Sequence, residues 1–254
     1  MQLVQQEIIE HELEKIKRDI NIARDRVQRI GLSPGNNVLL LCYAIEATKN
    51  LPGVFLECGV YVGNTLFTAD EFKRIRGIDR VMCGADTFDG FDYDPDNLPN
   101  VNDTFAGFDK LLSEKKITQL HYDLAKERTN KLVYQEHLNK SYFASVADSV
   151  FEESKIRGIR LYKGAFSEAL KNFEHDITVL HIDCDLYEAY KDCFSLLFHK
   201  VVNGGIIVLD EYYSRKYPGA RIATDEFLNK LDPASYNMIK YVVDGFERWA
   251  IVKL

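Results

Sequence analysis

The sequence predicts an α/β fold, a mainly parallel sheet covered by helices on both faces and closed by an antiparallel hairpin. Three observations carry this. Short apolar runs bounded by Gly, Pro or Asp recur along the chain and read as buried strands. Helical apolar stripes lie between them, an alternation that implies parallel strands joined by crossover helices. Near the end, apolar residues at 238–243 and 248–252 flank Asp244-Gly245, a hairpin-turn signal that returns the chain antiparallel.

Each element follows in order. Residues 7–30 read as a long helix, with Ile9, Leu13, Ile16, Ile20, Ala23, Val27 and Ile30 at alternating steps of four and three. Such a seam suits either a homodimer contact or a helix laid as a lid across its own domain. Gly31 and Pro34 end it. A second helix covers 35–49. Residues 54–60, after Pro52-Gly53, form the first buried strand, and a helix follows over 65–76. The second strand covers 81–85 and ends at Asp86. Further strands fall at 160–162, 177–182 and 205–209. Between the last two, Leu186, Tyr190, Cys193, Phe194, Leu197, Phe198 and Val201 share one helix face, closed by Asn203-Gly204-Gly205. The stretch 89–120 shows poor periodicity and sits just past a strand end, which suits either a flap over a ligand site or a solvated surface loop. Within it, Asp92-Tyr93-Asp94-Pro95-Asp96 imitates the start of a calcium loop. Asn97 replaces the required glycine and Asp103 the closing glutamate, so that motif fails. The organisation is a helical extension over 1–50 and one domain over 51–254.

The bulk numbers exclude some classes. With 254 residues, 46% hydrophobic and 28% charged, the chain can bury one sizeable core. A net charge of -7 without a basic block opposes a duplex nucleic-acid binder. No apolar run approaches the roughly 18 residues of a membrane span, and the first residues lack a basic and apolar leader pattern. Five cysteines, an odd number with no C-x-x-C pair, read as free thiols in a cytoplasmic protein.

Three constellations carry chemistry. The first is Glu57-Cys58-Gly59-Val60-Tyr61-Val62-Gly63, after a strand and opening a helix. Gly59 permits a tight turn, Gly63 lets backbone approach a ligand, and helix N–H groups receive a carboxylate. The second is Asp86, at a strand end where a carboxylate accepts ribose hydroxyls or else caps the next turn. The third pairs His181-Ile182-Asp183-Cys184-Asp185 with Asp210-Glu211-Tyr212. Both acidic groups follow apolar strands and so share one edge of the sheet. Asp183, Asp210 and Glu211 then offer several oxygens to a hard cation such as Mg²⁺, since clustered carboxylates without one repel. A cation there would bind a substrate hydroxyl and lower its pKa. His181 reads as a satisfied core histidine or a base, Cys184 as a small filler, and Trp249 as core.

Together these motifs resemble the macrocin O-methyltransferase family, from about Pro52 to Glu226. Leu56-Glu57-Cys58-Gly59-Val60 is similar to its Glu-Thr-Gly-Val opening, and Ala85-Asp86-Thr87-Phe88-Asp89-Gly90 to its Ala-Asp-Ser-Phe-x-Gly segment. Phe143-Ala144-Ser145 and Lys163-Gly164-Ala165-Phe166 match around the third strand. Asp183-Cys184-Asp185-Leu186-Tyr187-Glu188 resembles Asp-Gly-Asp-Leu-Tyr-Glu. Asp210-Glu211-Tyr212, Pro218-Gly219-Ala220-Arg221 and Asp225-Glu226-Phe227 resemble the closing run.

The resemblance implies a class I, seven-stranded, Rossmann-like methyltransferase that uses S-adenosyl-L-methionine to methylate sugar hydroxyls of natural products. It implies a cofactor site of Glu57, Gly59, Gly63, Asp86, Gly164, Phe166 and Asp183. It also implies Mg²⁺ on Asp183, Asp210 and Glu211, with Asp183 as general base. Two departures stand out: Glu211 replaces a usual Asp, and Ala165 replaces a usual Trp at the adenine pocket. Competing readings are a nucleotide-sugar glycosyltransferase using Asp183-x-Asp185, a catechol or phenol O-methyltransferase, and a non-catalytic partner assembling through the 7–30 seam. The expected partners are a small hydroxyl acceptor and a second copy of the chain, with neither nucleic acid nor membrane.

Overall fold

A computed structural model describes residues 2–90, 101–132, 140–243 and 246–254. The expected Asp244-Gly245 turn and the Asp92–Asp96 stretch lie outside the described residues. Seven strands form one sheet: β1 (Val54–Cys58), β2 (Met82–Asp86), β3 (Arg160–Lys163), β4 (Ile177–Ile182), β5 (Val201–Leu209), β6 (Tyr236–Val243) and β7 (Phe246–Lys253). Their order is β3-β2-β1-β4-β5-β7-β6. The first five run parallel, and β7 is antiparallel to β5 and β6. This is the predicted architecture. β1 and β4 are buried along their whole length, which is why they read as unbroken apolar runs rather than alternating ones.

One face is covered by α1 (Gln2–Arg29), α2 (Leu39–Ala47), α3 (Asn64–Ile75) and α6 (Lys140–Arg157), around a core containing Phe55, Phe67, Phe72 and Val179. The other carries α7 (Phe166–Ala169), α8 (Tyr187–Leu197) and α9 (Pro218–Leu228), around Leu56, Tyr190, Phe194 and Ile207. The α1 seam is used largely inside the chain. Ile16, Ile20, Ala23 and Val27 are buried in the core shared with α2 and α3, while Ile30 stays exposed. Gly31 adopts φ +83° just past the helix end, the left-handed residue that commonly closes a helix.

Guanidinium groups fasten this layer. Arg76, following α3, bonds Asp19 of α1 at 3.0 Å and Glu46 of α2 at 2.8 Å. Arg157 at the end of α6 bonds Asp70 at 3.1 Å and Glu71 at 2.9 Å on α3. Asp70 also accepts from Arg74 at 2.8 Å.

The stretch 89–120, irregular in its sequence pattern, is largely helical in its described part. Residues Val101–Ser113 form α4 and Gln119–Leu132 form α5. Phe108, Leu111, Ile117 and Ala125 build a small core of their own. Gly107 helps to hide α4 in the sequence, because glycine is a poor helix former. It is there for close packing: a Cβ at 107 would lie 2.8 Å from the Pro218 ring of α9.

Candidate functional site

The strand order reverses between β1 and β4, since β2 and β3 lie on one side and β5 on the other. Open parallel sheets bind ligands in the crevice outside the strand ends at such a point. Here β1 and β4 are drawn unusually close. The Asp183 N–H donates to the Cys58 carbonyl at 2.9 Å. Gly59 has φ +97°, and a Cβ on it would stand 1.8 Å from the Asp183 carbonyl oxygen. Only glycine fits there. Gly63, at φ +81°, caps the start of α3. A cavity of about 580 Å³ opens at this edge and runs from Gly59 and Asn64 past Asp86 and Phe166 to Lys216. That size suits a small-molecule cleft.

Asp86 lines the cavity and also braces its floor. Its Oδ2 accepts the Val60 and Tyr61 N–H groups, both at 2.8 Å, and its Oδ1 accepts the Phe88 N–H at 2.8 Å. The turn-capping alternative for this residue is therefore realised. Two amides occupy Oδ2, so a further donor meets Oδ1, where the Thr87 hydroxyl stands at 3.3 Å.

Glu57 lies beneath the turn, fully buried and away from the cavity wall. Its Oε1 is 2.8 Å from Nδ1 of His181, the residue opposite it across the β1–β4 ladder. Burial opposes charge on either partner. It lifts the Glu57 carboxyl despite the His181 contact. For His181 burial is outweighed by the Glu57 hydrogen bond and by the charges of Glu57, Asp183 and Asp210, which lift it to about 9. One proton held between Oε1 and Nδ1 satisfies both directions. His181 is a satisfied core histidine in this sense.

Asp183 leaves β4, and Asp210 and Glu211 leave β5 next to it. Oxygens from all three lie within 4.8 Å of one another. Arg248 of β7 reaches Oδ1 of Asp210 at 3.2 Å. The Tyr190 hydroxyl of α8 lies 2.7 Å from Oε2 of Glu211 and 2.9 Å from the Ile182 carbonyl. Burial and the charge of Asp210 push the Asp183 carboxyl well above the usual carboxylate range. Burial and the charges of Asp183 and Asp210 do the same to Glu211. Carboxylate oxygens without sulfur or nitrogen are the donor set of a hard divalent cation.

Of the other predicted residues, Phe166 lines the cavity, whereas Gly164 sits behind it, its N–H donating to the Asp86 carbonyl at 3.0 Å. Cys184 is buried between the two aspartates, and all five cysteines are free and buried. Asp185 lines the cavity at φ +61°, with the Leu186 N–H donating across it to the Cys184 carbonyl at 2.6 Å. This tight three-residue turn is strained for a residue with a Cβ, a feature that clusters at functional sites. Sequence reasoning missed Ala189, Asp192, Lys216 and Tyr217 on the wall. The first two were accessible to it: with Leu186 they recur every third residue on α8. Lys216 and Tyr217 belong to the irregular segment between β5 and α9, which carries no periodicity.

A parallel sheet with a glycine turn after β1, an acidic residue ending β2 and a reversed hairpin at the edge is the class I methyltransferase fold. Two solved structures share it. The O-methyltransferase NovP superposes with a TM-score of 0.57 at 23% identity, covering 85% of this chain and 79% of NovP. The calicheamicin methyltransferase CalS11 gives 0.50 at 19% identity, covering 85% and 78%.

The chain belongs to the macrocin O-methyltransferase (TylF) family, which it matches over residues 36–240. It is also similar to demethyldecarbamoylnovobiocin O-methyltransferase of Streptomyces niveus, 28% identical over 189 residues, or 73% of this chain. The aligned part spans 62% of that relative's length. Membership sets aside the glycosyltransferase alternative. Among the described residues, no helix is long and apolar enough to cross a membrane.

Proposed function

We propose that this chain transfers a methyl group from S-adenosyl-L-methionine to a hydroxyl of a small glycoside, with Mg²⁺ held by Asp183, Asp210 and Glu211. One observation carries the reading: Asp183 belongs to both halves of the site. Its backbone closes against Gly59, and its carboxylate belongs to the acidic cluster. Family membership and the Streptomyces niveus relative, named as a demethyldecarbamoylnovobiocin O-methyltransferase, support a natural-product hydroxyl as acceptor.

The residues present fit both groups. The left-handed Gly59 turn, made necessary by the Asp183 carbonyl beside it, lines the cavity with backbone along which a donor would lie. The start of α3 presents N–H groups to a carboxylate. Asp86 serves a ribose hydroxyl through Oδ1 while Oδ2 stays committed to the turn, a narrower role than bidentate ribose binding. The bound donor supplies an electrophilic methyl group and the cation supplies charge neutralisation and a more acidic hydroxyl. The chain's own work is positioning. Tyr190 orients Glu211, Arg248 orients Asp210, and the β1–β4 contact fixes Asp183. The Asp183 carboxylate, held at the edge of the cavity, would take the hydroxyl proton.

The test is transfer of labelled methyl from S-adenosyl-L-methionine to a panel of glycosides and catechols. Label on a sugar hydroxyl, lost on adding EDTA and restored by Mg²⁺, is the expected result. Undiminished transfer in chelator would remove the cation from the proposal, and preference for catechols would replace the acceptor class.

A further inference from the structure

The cavity wall changes character along its length. Near β1 it is Gly59, Val60, Tyr61, Asn64 and Thr65, with polar side chains on three of the five. After β3 the wall carries Ala165 and Phe166, and from the start of α8, which packs against α7, it takes Leu186 and Ala189, all four apolar. Strand order fixes which part of a bound donor meets which wall. A molecule anchored at the β1 turn and passing Asp86 at the end of β2 next meets the β3 segment. On the reading proposed above, the flat base of the donor lies there, against Phe166 on one side and α8 on the other.

Into this apolar stretch α8 places one carboxylate. Leu186, Ala189 and Asp192 recur every third residue, so all three fall on one stripe, and all three line the cavity. Among the described residues, Asp192 has no side-chain hydrogen bond and no ion pair; the charges that act on it are those of its helix neighbours Glu188 and Lys191. Burial pushes its carboxyl above the ordinary value. A partly desolvated acceptor without a protein donor is costly to keep unless a ligand supplies one.

We propose that Asp192 reads the nucleobase of the methyl donor by accepting a hydrogen bond from the exocyclic amino group of adenine. Adenine offers an N–H donor at that position, whereas hypoxanthine offers a carbonyl oxygen that a carboxylate repels. Asp192 is thus a specificity residue for an amino-purine, distinct in role from the carboxylates at the strand ends. A merely solvated helix carboxylate would not distinguish the two bases.

The experiment is calorimetric titration at pH 7 of the full chain and its D192N and D192A variants with two ligands, S-adenosylhomocysteine and S-inosylhomocysteine. Wild type should prefer the adenine ligand. Asp192→Ala should weaken S-adenosylhomocysteine about tenfold and leave the inosine ligand no weaker. Asp192→Asn, whose amide can donate to the inosine carbonyl, should narrow the wild-type preference by about tenfold or more. Circular dichroism should be unchanged, since the side chain is at the helix surface. The wild-type preference persisting in both variants would overturn the assignment of Asp192 while leaving the donor reading intact. Wild-type protein that binds neither ligand would instead overturn the donor reading, and the assignment with it.

Discussion

On the outer face of α3, Asp70 and Glu71 meet Arg74, Arg157 and Arg26, and Arg76 gathers Asp19 and Glu46 from two further helices. At the strand ends, Asp183, Asp210 and Glu211 have Arg248 on Asp210 and the Tyr190 hydroxyl on Glu211. Both are dense groups of carboxylates on an acidic chain, and their electrostatics run in opposite directions. Against burial, Arg76 and Lys49 together hold the Glu46 carboxyl below its ordinary value, whereas burial and mutual repulsion raise Asp183 and Glu211. The first group is neutralised by the chain itself and holds helices together. The second has fewer cations of its own, and the proposed Mg²⁺ would supply the charge it lacks. Carboxylate density therefore says little; the count of cations facing it separates a clasp from a binding site.

The largest expected effect breaks this contrast at the strand ends. Asp183→Asn should lower kcat by about 10³-fold or more, given the several kcal/mol that cation-assisted activation supplies, with unfolding little changed. A fall of only a few-fold in steady-state assays would deny the residue its role. Next, Gly59→Ala should cost about 3 kcal/mol of stability and weaken S-adenosylhomocysteine binding, because the new Cβ meets the Asp183 carbonyl. Urea unfolding and calorimetry read both, and a neutral substitution would show that the β1–β4 contact is not needed. At the other cluster Arg157→Ala should lose about 2 kcal/mol in the same unfolding assay while Mg²⁺ affinity is kept. Altered Mg²⁺ affinity there would mean that the two clusters are coupled.

The smallest effect is in the pH dependence, and its sign differs between the clusters. Asp183 and Glu211 bind protons more tightly folded than unfolded, so their contribution falls as pH rises from about 4, the ordinary carboxylate value, through their raised values. Glu46 is the reverse, stabilising above its ordinary value and losing that contribution as pH falls through its lowered one. Mg²⁺ requires deprotonated ligands. The gain in Tm on adding Mg²⁺ should therefore grow with pH, and a gain independent of pH would contradict the assignment of those carboxylates as ligands.

Much of this was legible in the chain. The runs around Val54, Ile177 and Ile206 are buried on both sheet faces and so read as strands without knowledge of their neighbours. Asp183 and Asp210 follow two such runs, which placed them on one edge. What escaped depends on contacts between distant segments. The α4 helix hides behind Gly107, whose reason is Pro218 on α9. Glu57 meets His181 through the register of a non-local strand pair, so its withdrawal from the cavity could not be read locally. Asp86 braces a turn that lies well before it in the chain. Gly59 was legible as a tight turn, but not that the Asp183 carbonyl is what requires it, and Gly63, read as the point where backbone approaches a ligand, instead makes room for the Phe67 ring of its own helix.

Manganese, a paramagnetic substitute for magnesium, gives the most direct comparison of the two clusters. Electron paramagnetic resonance titration of Mn²⁺ into wild type, the D183N/D210N double variant and the D70N variant should show one tight site in the first and third and its loss in the second. Retention of that site in the double variant, or its loss in D70N, would contradict the division into a self-neutralised clasp and a cation-seeking edge.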